Sequence, residues 1–176
     1  MTNEKANTTK TKILVVAFEC FLQHGYSKTT FTDVVKKAGI SRASIYLYFK
    51  NKEDLFIQMN QRLHEEYLDK SKTVLQSTTS DKEKIIKIID IWIISHYRQM
   101  KNTNYSNELL DGLVNISKQT EKRFRELFIE SIAPLIGEDM AEIVVFSIRG
   151  LMEDRPSVKT LQTRISLLVD AVIGSR

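Results

Sequence analysis

The stretch SRASIYLYFKNK, residues 41–52, is basic and aromatic and contains start signals for two helices. Ser41 can cap one helix and Asn51 can cap a second that begins at Lys52, with Asp54 placed to accept a hydrogen bond from the backbone of the cap. A helix N-terminus presents unpaired N–H groups and a partial positive charge, so both starts suit an anion. Lys52 is unfavourable beside such a dipole, and a nearby phosphate would resolve the conflict.

Two further helices are predicted before this stretch. The first runs from about Thr11 to His24, with apolar residues spaced by three and four, and ends at Gly25 in a left-handed turn. Thr30 can cap the second helix, and Asp33 stands at the spacing of a capping box. Gly39 then supplies the positive φ that a tight reversal requires. Two helices joined by a short glycine turn are typical of a helix-turn-helix.

Residues 42–49 follow that turn and are predicted to be the helix that enters the major groove of DNA. We call residues 41–52 the recognition segment. Residues 1–52 contain nine Lys and Arg against three Asp and Glu, whereas the rest of the chain contains 17 against 19. Because the excess positive charge lies in the N-terminal third, we expect a polyanion to bind there.

The composition limits the class of protein. Of 176 residues, 42% are hydrophobic, which is enough for a sizeable core. The single cysteine, Cys20, excludes an intrachain disulfide and is expected to be a buried, inert thiol. The polar start lacks the apolar run of a signal peptide, and residues 1–10 are predicted to be a flexible arm. The most apolar stretch, residues 85–94, is too short to cross a bilayer, so we expect a cytoplasmic protein with no membrane contact.

More helices are predicted after the recognition segment. They comprise a connecting helix over 52–77, an apolar helix over about 81–101 capped by Ser80 or Asp81, helices near 107–117 and 120–136, one over 139–152 with Asp139 and Glu142 at capping-box spacing, and a last helix from Pro156. With few Gly and Pro and no competing strand pattern, the fold class is predicted to be all-α. A three-helix helix-turn-helix domain, residues 1–51, is joined by the connecting helix to a helical effector and dimerisation domain, residues 52–176.

Residues 13–55 resemble the DNA-binding domain of the TetR/AcrR family of bacterial transcriptional regulators. The agreement rests on many residue types at fixed offsets: Phe21, Gly25-Tyr26, Thr29-Thr30, Ala38-Gly39-Ile40-Ser41, Ile45-Tyr46, Tyr48-Phe49 and Asn51-Lys52-Glu53-Asp54-Leu55. One departure is Ala43-Ser44, where the family often has Gly-Thr. That pair borders the DNA, so an operator sequence cannot be transferred from relatives.

The resemblance and the helix geometry together imply a set of DNA contacts. Thr29, Thr30, Ser41, Tyr48 and Lys52 are expected at phosphates, and Arg42, Ser44 and Tyr46 at bases or at phosphates near the groove. For Tyr46 and Tyr48, packing in the core is the alternative. The implied function is a homodimeric repressor that is released from a palindromic operator by a small molecule.

The last two helices carry apolar residues in more than one direction, which would expose a patch in a monomer. We therefore expect them to form a homodimer interface, as the resemblance also implies. The predicted interface residues are Ile148, Leu161, Ile165, Leu168 and Val172.

Aromatic and apolar residues of the C-terminal part are candidates for lining an effector pocket. They are Trp92, His96, Met100, Tyr105, Phe124 and Phe128, and Tyr97 and Phe146 could join them. Such a pocket would take a partly apolar small molecule. Residues in such a pattern more often form a plain helical core, and His96 has no neighbouring Cys or His at the spacing of a metal site.

The sequence also bears on two other classes of protein. An enzyme is disfavoured because the sequence contains no nucleophile-base pair, glycine-rich phosphate loop or metal cluster, so neither a cofactor nor catalytic residues are expected. A helical DNA-binding dimer without a small-molecule pocket, controlled by a protein partner or by its own abundance, stays open. A closed core around Trp92 would favour that alternative, and an apolar cavity would favour a ligand.

Overall fold

The computed structural model describes residues 3–104 and 118–174 of the chain. The chain divides into two compact units, one made of residues 1–63 and 102–121 and the other of residues 64–101 and 122–176. The predicted helix at 107–117 and the candidate pocket residue Tyr105 fall outside the described residues. In the parts of the chain that are described, all regular structure is helical, which confirms the predicted fold class.

The helices are named in chain order. They are α1 (Asn3–Lys28), α2 (Phe31–Ala38), α3 (Arg42–Tyr46), α4 (Lys52–Leu75), α5 (Asp81–Ile89), a π-helical turn (Asp90–Ile94), α6 (Ser95–Lys101), α7 (Lys118–Ile136), α8 (Glu138–Leu151) and α9 (Val158–Gly174). The connecting helix α4 begins in the first unit and ends in the second.

In the first unit, α1 starts much earlier than Thr11, so residues 3–10 are helical and the predicted flexible arm is wrong for them. Gly25 has the expected positive φ, 79°, but its ψ of 165° is not that of a left-handed helix. This combination is open essentially only to glycine. The chain therefore kinks at Gly25 and forms one more turn, residues 26–28, before α2.

Helix α2 has the predicted capping box, in which Thr30 accepts from the Asp33 N–H and the Asp33 carboxylate accepts from the Thr30 N–H and hydroxyl. Gly39 adopts the left-handed conformation, φ 65° and ψ 39°. Helix α3 is shorter than predicted, ending at Tyr46, although the Phe49 N–H still reaches the Ile45 carbonyl at 3.0 Å.

The core of the first unit is formed by the apolar faces of α1 to α4. Its fully buried members include Ile13, Ala17, Phe21, Val34, Ile45, Phe49 and Leu55. Cys20 is buried as predicted, and burial raises the pKa of its thiol. The predicted inward positions of the recognition segment, Ile45 and Phe49, are both confirmed.

In the second unit, Ser80 caps α5 through a capping box with Glu83. The predicted helix over 81–101 is continuous but contains the π-helical turn, in which the Ser95 N–H donates to the Asp90 carbonyl. Asp139 is not a cap, because α8 begins at Glu138 and Gly137 precedes it. Ser157 is the cap of α9 and was missed, its Oγ accepting from the Thr160 N–H at 3.0 Å.

The predicted interface residues of α8 and α9 lie on the faces of these helices that point to the core and not to solvent. Four of them, Ile148, Leu161, Ile165 and Val172, are buried inside the single chain, and Leu168 is half-buried. They fill the core where α9 packs on α5 and α8. The apolar side chains of these helices that do face outward are Ile143, Phe146 and Leu167.

No described helix has the length and hydropathy that crossing a membrane would require.

Candidate nucleic-acid interface

The capped start of α3 arranges the recognition segment. The Ser41 hydroxyl accepts from the Ser44 N–H at 3.1 Å and lies 2.7 Å from the Ser44 hydroxyl. Ile45 is buried in the core, whereas Arg42, the first residue of α3, is exposed. Ser41, Arg42 and Ser44 thus lie together on the first turn of α3, as expected.

The two tyrosines of the segment differ in exposure. Tyr46 is 54% exposed, and one side of its ring packs against Phe31 of α2 with centroids 5.3 Å apart. Tyr48 is half-buried beside Phe49. More than half of the Tyr46 surface is therefore open to solvent, although its ring packs on α2.

Leu47 lies between these tyrosines and is 80% exposed. It was not among the predicted contacts, because a leucine in an apolar stretch suggests core packing when only the sequence is considered. Its position on the exposed side of the recognition segment is the signal that could have identified it. An apolar group there can contact the methyl group of thymine.

Thr29 does not fit its predicted role at a phosphate. The residue is 1% exposed, and its hydroxyl donates to the Gly25 carbonyl at 2.6 Å, with the Cys20 carbonyl also within reach at 3.2 Å. Thr30, the next residue, is exposed at the N-terminus of α2 and remains a candidate phosphate contact. Thr29 holds the turn that presents Thr30.

The start of α4 is fastened by side chains of its own first turn. The Asn51 Oδ1 accepts from the Asp54 N–H at 2.8 Å, as predicted for a cap. The Asp54 carboxylate accepts from the Lys50 N–H at 2.8 Å instead of from the backbone of Asn51. Burial alone would raise the pKa of Asp54, but hydrogen bonds from Gln58 and Lys50 outweigh it and the pKa is lowered.

Lys52 is turned back into the first unit. Its ammonium donates to the backbone carbonyls of Tyr26, at 2.9 Å, and Ser27, at 3.1 Å, and lies 4.5 Å from the centre of the Tyr26 ring. The unfavourable placement of Lys52 at a helix start is therefore compensated within the protein, without a phosphate.

In the second unit, several candidate pocket residues meet in one aromatic cluster, which we define as Tyr67, Trp92, Phe124 and Phe128 with His64 at its edge. Trp92 stacks on Phe128 with centroids 5.4 Å apart and planes inclined by 12°, and Phe124 lies 5.4 Å from Trp92. His96 adjoins the cluster, its Nδ1 lying 3.3 Å from the Tyr67 hydroxyl.

Two other aromatic candidates do not join the cluster. The Tyr97 hydroxyl donates to the Pro156 carbonyl at 2.8 Å, and Phe146 is about half exposed on α8. The structure adds Tyr67 and His64 from α4, which the sequence did not identify as pocket residues.

His64 is the unusual member of the aromatic cluster. It is only 6% exposed, and its Nδ1 has no hydrogen-bond partner among the residues the structure describes. Burial lowers the pKa of His64 to about 4, with smaller contributions from His96 and Arg123. Burial likewise lowers the pKa of His96 to about 4. Both imidazoles are therefore neutral at pH 7.

Comparison with known proteins covers both the segment and the fold. Residues 13–59 match the family model described as bacterial regulatory proteins, tetR family. The chain is 26% identical over 121 residues to the fatty acid metabolism regulator protein of Bacillus subtilis (strain 168), covering 60% of this chain and 62% of that protein. It is 40% identical over 58 residues to the probable acrEF/envCD operon repressor of Escherichia coli (strain K12), covering 33% of this chain and 26% of that protein.

These matches span less than two thirds of either relative. The fold extends the likeness along the chain, because the crystal structure of a transcriptional regulator from Cytophaga hutchinsonii ATCC 33406 superimposes with a TM-score of 0.75 at 19% identity, covering 93% of this chain and 95% of that one. Taken with the recognition segment and its capped helices, these findings show that residues 13–59 form a DNA-binding domain of the tetR family, in a chain whose fold is that of a known transcriptional regulator.

Proposed function

We propose that this TetR-family regulator is a homodimeric repressor that binds a palindromic operator and releases it when a small molecule binds the second unit. The family consists of transcriptional regulators and not of enzymes. The name of the E. coli relative, an operon repressor, supports the proposal that this protein represses transcription. Since the operator is chromosomal DNA, the proposed protein acts in the cytoplasm.

One observation carries the DNA-binding part of the proposal. Arg42 and Tyr46 are exposed on a short helix that is capped by Ser41, fixed by Ile45 in the core and preceded by the turn at Gly39. A helix held in this way can enter a major groove about 12 Å wide, where Arg can form paired hydrogen bonds to guanine. We assign Arg42 and Tyr46 to the bases, with Ser44 beside them.

Phosphate contacts would surround this helix. Thr30, Ser41 and Tyr48 offer hydroxyl groups, and the lysines of α2, Lys36 and Lys37, are exposed on the same unit. Lysines of this kind raise affinity for any DNA sequence and make it depend on salt. Lys37 is also paired with Glu19 at 3.0 Å, so it is the less available of the two.

A single short helix reads too few base pairs for tight, specific binding, which is why we propose a dimer. The dimer would be formed by the outward apolar residues of α8 and α9. Ile143 and Phe146 lie one turn apart on α8, and Leu167 is exposed on α9. Such residues are costly to leave in water and are typical of an interface between copies.

The effector part of the proposal rests on His64. A buried polar atom without a partner costs roughly 1–3 kcal/mol, and a ligand that hydrogen-bonds to it would recover that cost. The aromatic cluster beside it offers the apolar surface that small-molecule sites use. We propose a partly apolar, uncharged effector with one hydrogen-bonding group directed at the His64 Nδ1.

A second candidate function is favoured by the packing of the same cluster. Trp92 and Phe128 are stacked and fully buried, as expected of a closed core. In that case the protein is a DNA-binding dimer without a small-molecule pocket, controlled by a protein partner or by its abundance.

The test is to select bound fragments from the native genome with the full-length protein and to measure operator affinity by fluorescence anisotropy. We expect near-palindromic sites, and loss of at least about tenfold in affinity for Arg42→Ala, the effect of one good base contact. Equal binding of selected and scrambled DNA would contradict the proposal. Trp92 is the only tryptophan of the chain, so compounds suggested by the neighbouring genes can be screened by its fluorescence and then by operator release.

A further inference from the structure

Lys52 occupies a position that its own helix disfavours. It is the first residue of α4, where the helix dipole repels a cation. Glu53 and Asp54, which follow in the first turn, are the carboxylates that this end prefers. The side chain of Lys52 leaves that end and reaches the carbonyls of Tyr26 and Ser27.

Those two carbonyls lie at the other kind of helix end. They belong to the last turn of α1, after the kink at Gly25, where the dipole is negative and carbonyl groups lack partners within the helix. Lysine side chains stabilise such ends by hydrogen-bonding to the last carbonyls. Lys52 is thus a cap for α1 that is supplied by α4.

The Tyr26 ring strengthens this connection. The Lys52 ammonium lies 4.5 Å from its centre, at the distance of a cation–π contact. Phe56 is one helical turn after Lys52 on α4, and its ring centroid lies 5.0 Å from that of Tyr26. Phe21 of α1 also stacks on Tyr26, with centroids 5.6 Å apart. Helix α4 therefore holds Tyr26 with two residues on one face.

The turn that Lys52 holds leads directly to α2. Thr29 anchors it from inside through Gly25 and Cys20, and Thr30 begins the capping box of α2. We propose that Lys52 is a positioning residue: by capping α1 it fixes the turn over residues 26–29, and through that turn it sets the position of Thr30 and the N-terminus of α2. The effect on DNA affinity rests on the function proposed above, whereas the effect on the turn does not.

The first experiment uses the free, full-length protein. Lys52→Met keeps the alkyl chain and removes the cation, and hydrogen exchange is measured at the backbone amides of residues 26–30. Because hydrogen bonds from a charged group are worth more than neutral ones, we expect exchange of the Thr29 amide, which bonds to the Gly25 carbonyl at 3.3 Å, to rise about tenfold or more. Lys52→Arg should stay near the wild type, since a guanidinium can also reach two carbonyls. Lys50→Met, which removes an exposed cation two residues away, is the matched control and should leave the turn unchanged.

The second experiment is a double-mutant cycle on operator affinity with Lys52→Met, Tyr26→Leu and the double variant. If Lys52 acts through the turn, each single substitution already removes part of the same effect on operator affinity. The fold-loss in affinity of the double variant should then be smaller, by at least about fivefold, than the product of the two single fold-losses. A loss equal to the product, or unchanged exchange in Lys52→Met, would overturn the proposal. If the wild-type protein binds no DNA, the proposed function fails, but hydrogen exchange in Lys52→Met still decides the role of Lys52. If Tyr26→Leu does not fold, hydrogen exchange in Lys52→Met likewise decides that role.

Discussion

The ring of Tyr46 in α3 lies against the ring of Phe31 in α2, with centroids 5.3 Å apart and planes inclined by 60°. This contact joins the two helices of the helix-turn-helix, while Tyr46 as a whole stays 54% exposed. We therefore expect packing and DNA binding, the two alternatives for Tyr46, to use different parts of one side chain. Tyr46→Phe removes only the hydroxyl, and we expect operator affinity to fall by about 1–2 kcal/mol, or roughly 5- to 30-fold, with an unchanged melting temperature.

Tyr46→Ala is the companion variant, since it removes the ring as well. It should lower both operator affinity, measured by anisotropy, and the melting temperature, measured by circular dichroism. If Tyr46→Phe binds the operator as tightly as the wild type, the side chain acts only by packing on Phe31.

Leu47 offers a second test of the recognition segment. Since its side chain is 80% exposed, we expect it to contact thymine methyl groups in the groove. Replacing single thymines of the operator by uracil removes one methyl group at a time, and we expect one or two positions at which affinity falls by about 1 kcal/mol.

Leu47→Ala identifies the partner in that experiment. The variant should bind the thymine operator more weakly and should no longer distinguish thymine from uracil at those positions. Continued discrimination by Leu47→Ala would mean that another residue makes the contact.

His64 predicts how stability depends on pH. Its pKa falls from the usual 6.5 to about 4 in the folded protein, so between these values the unfolded chain binds more protons than the folded one. Stability is therefore complete above about pH 6.5 and is lost as the pH falls toward 4. The loss from His64 alone is about 2 kcal/mol at pH 5.

His64→Leu removes both the titration and the unpartnered Nδ1. We expect the free energy of unfolding at pH 7.5, from urea titrations followed by Trp92 fluorescence, to stay equal or to rise. Its decrease between pH 7.5 and pH 5 should be about 2 kcal/mol smaller than in the wild type. A full decrease in the variant would show that the acid sensitivity arises elsewhere, with His96 the next residue to test.

Features that depend on neighbours in sequence were predicted well. Thr30, Ser41, Asn51 and Ser80 cap helices as expected, and Gly39 has the required positive φ, because a cap or a turn is decided by a few consecutive residues. The inward direction of Ile45 follows from the same local spacing.

Features that depend on residues far apart in the sequence were not predicted. The conflict at Lys52 is visible in the sequence, but its solution, the carbonyl of Tyr26, lies in another helix. In the sequence His64 looks like a polar surface residue, but in the fold Phe124, which is distant in the sequence, packs against it. Thr29 and Thr30 look equivalent in sequence, yet the fold buries one and exposes the other.

Helix α9 shows why the interface residues were misplaced. It has apolar residues on two sides, and helical spacing groups them without telling which side faces the core. Leu161 and Ile165 belong to the inner side and Leu167 to the outer one, where it is 66% exposed. A charge is expected to disrupt a dimer at Leu167, whereas at Leu161 it would disrupt the fold itself.

Leu167→Glu is therefore predicted to give a folded monomer. Its helix content and melting behaviour should stay close to those of the wild type, while light scattering coupled to size exclusion should show half the mass. Operator affinity should fall at least about tenfold, because only one half-site is then bound at a time. Val15→Glu, which places the same charge at an exposed apolar residue of α1, is the matched control and should remain dimeric. A Leu167→Glu variant that still has the dimer mass would show that the outward face of α9 is not the interface.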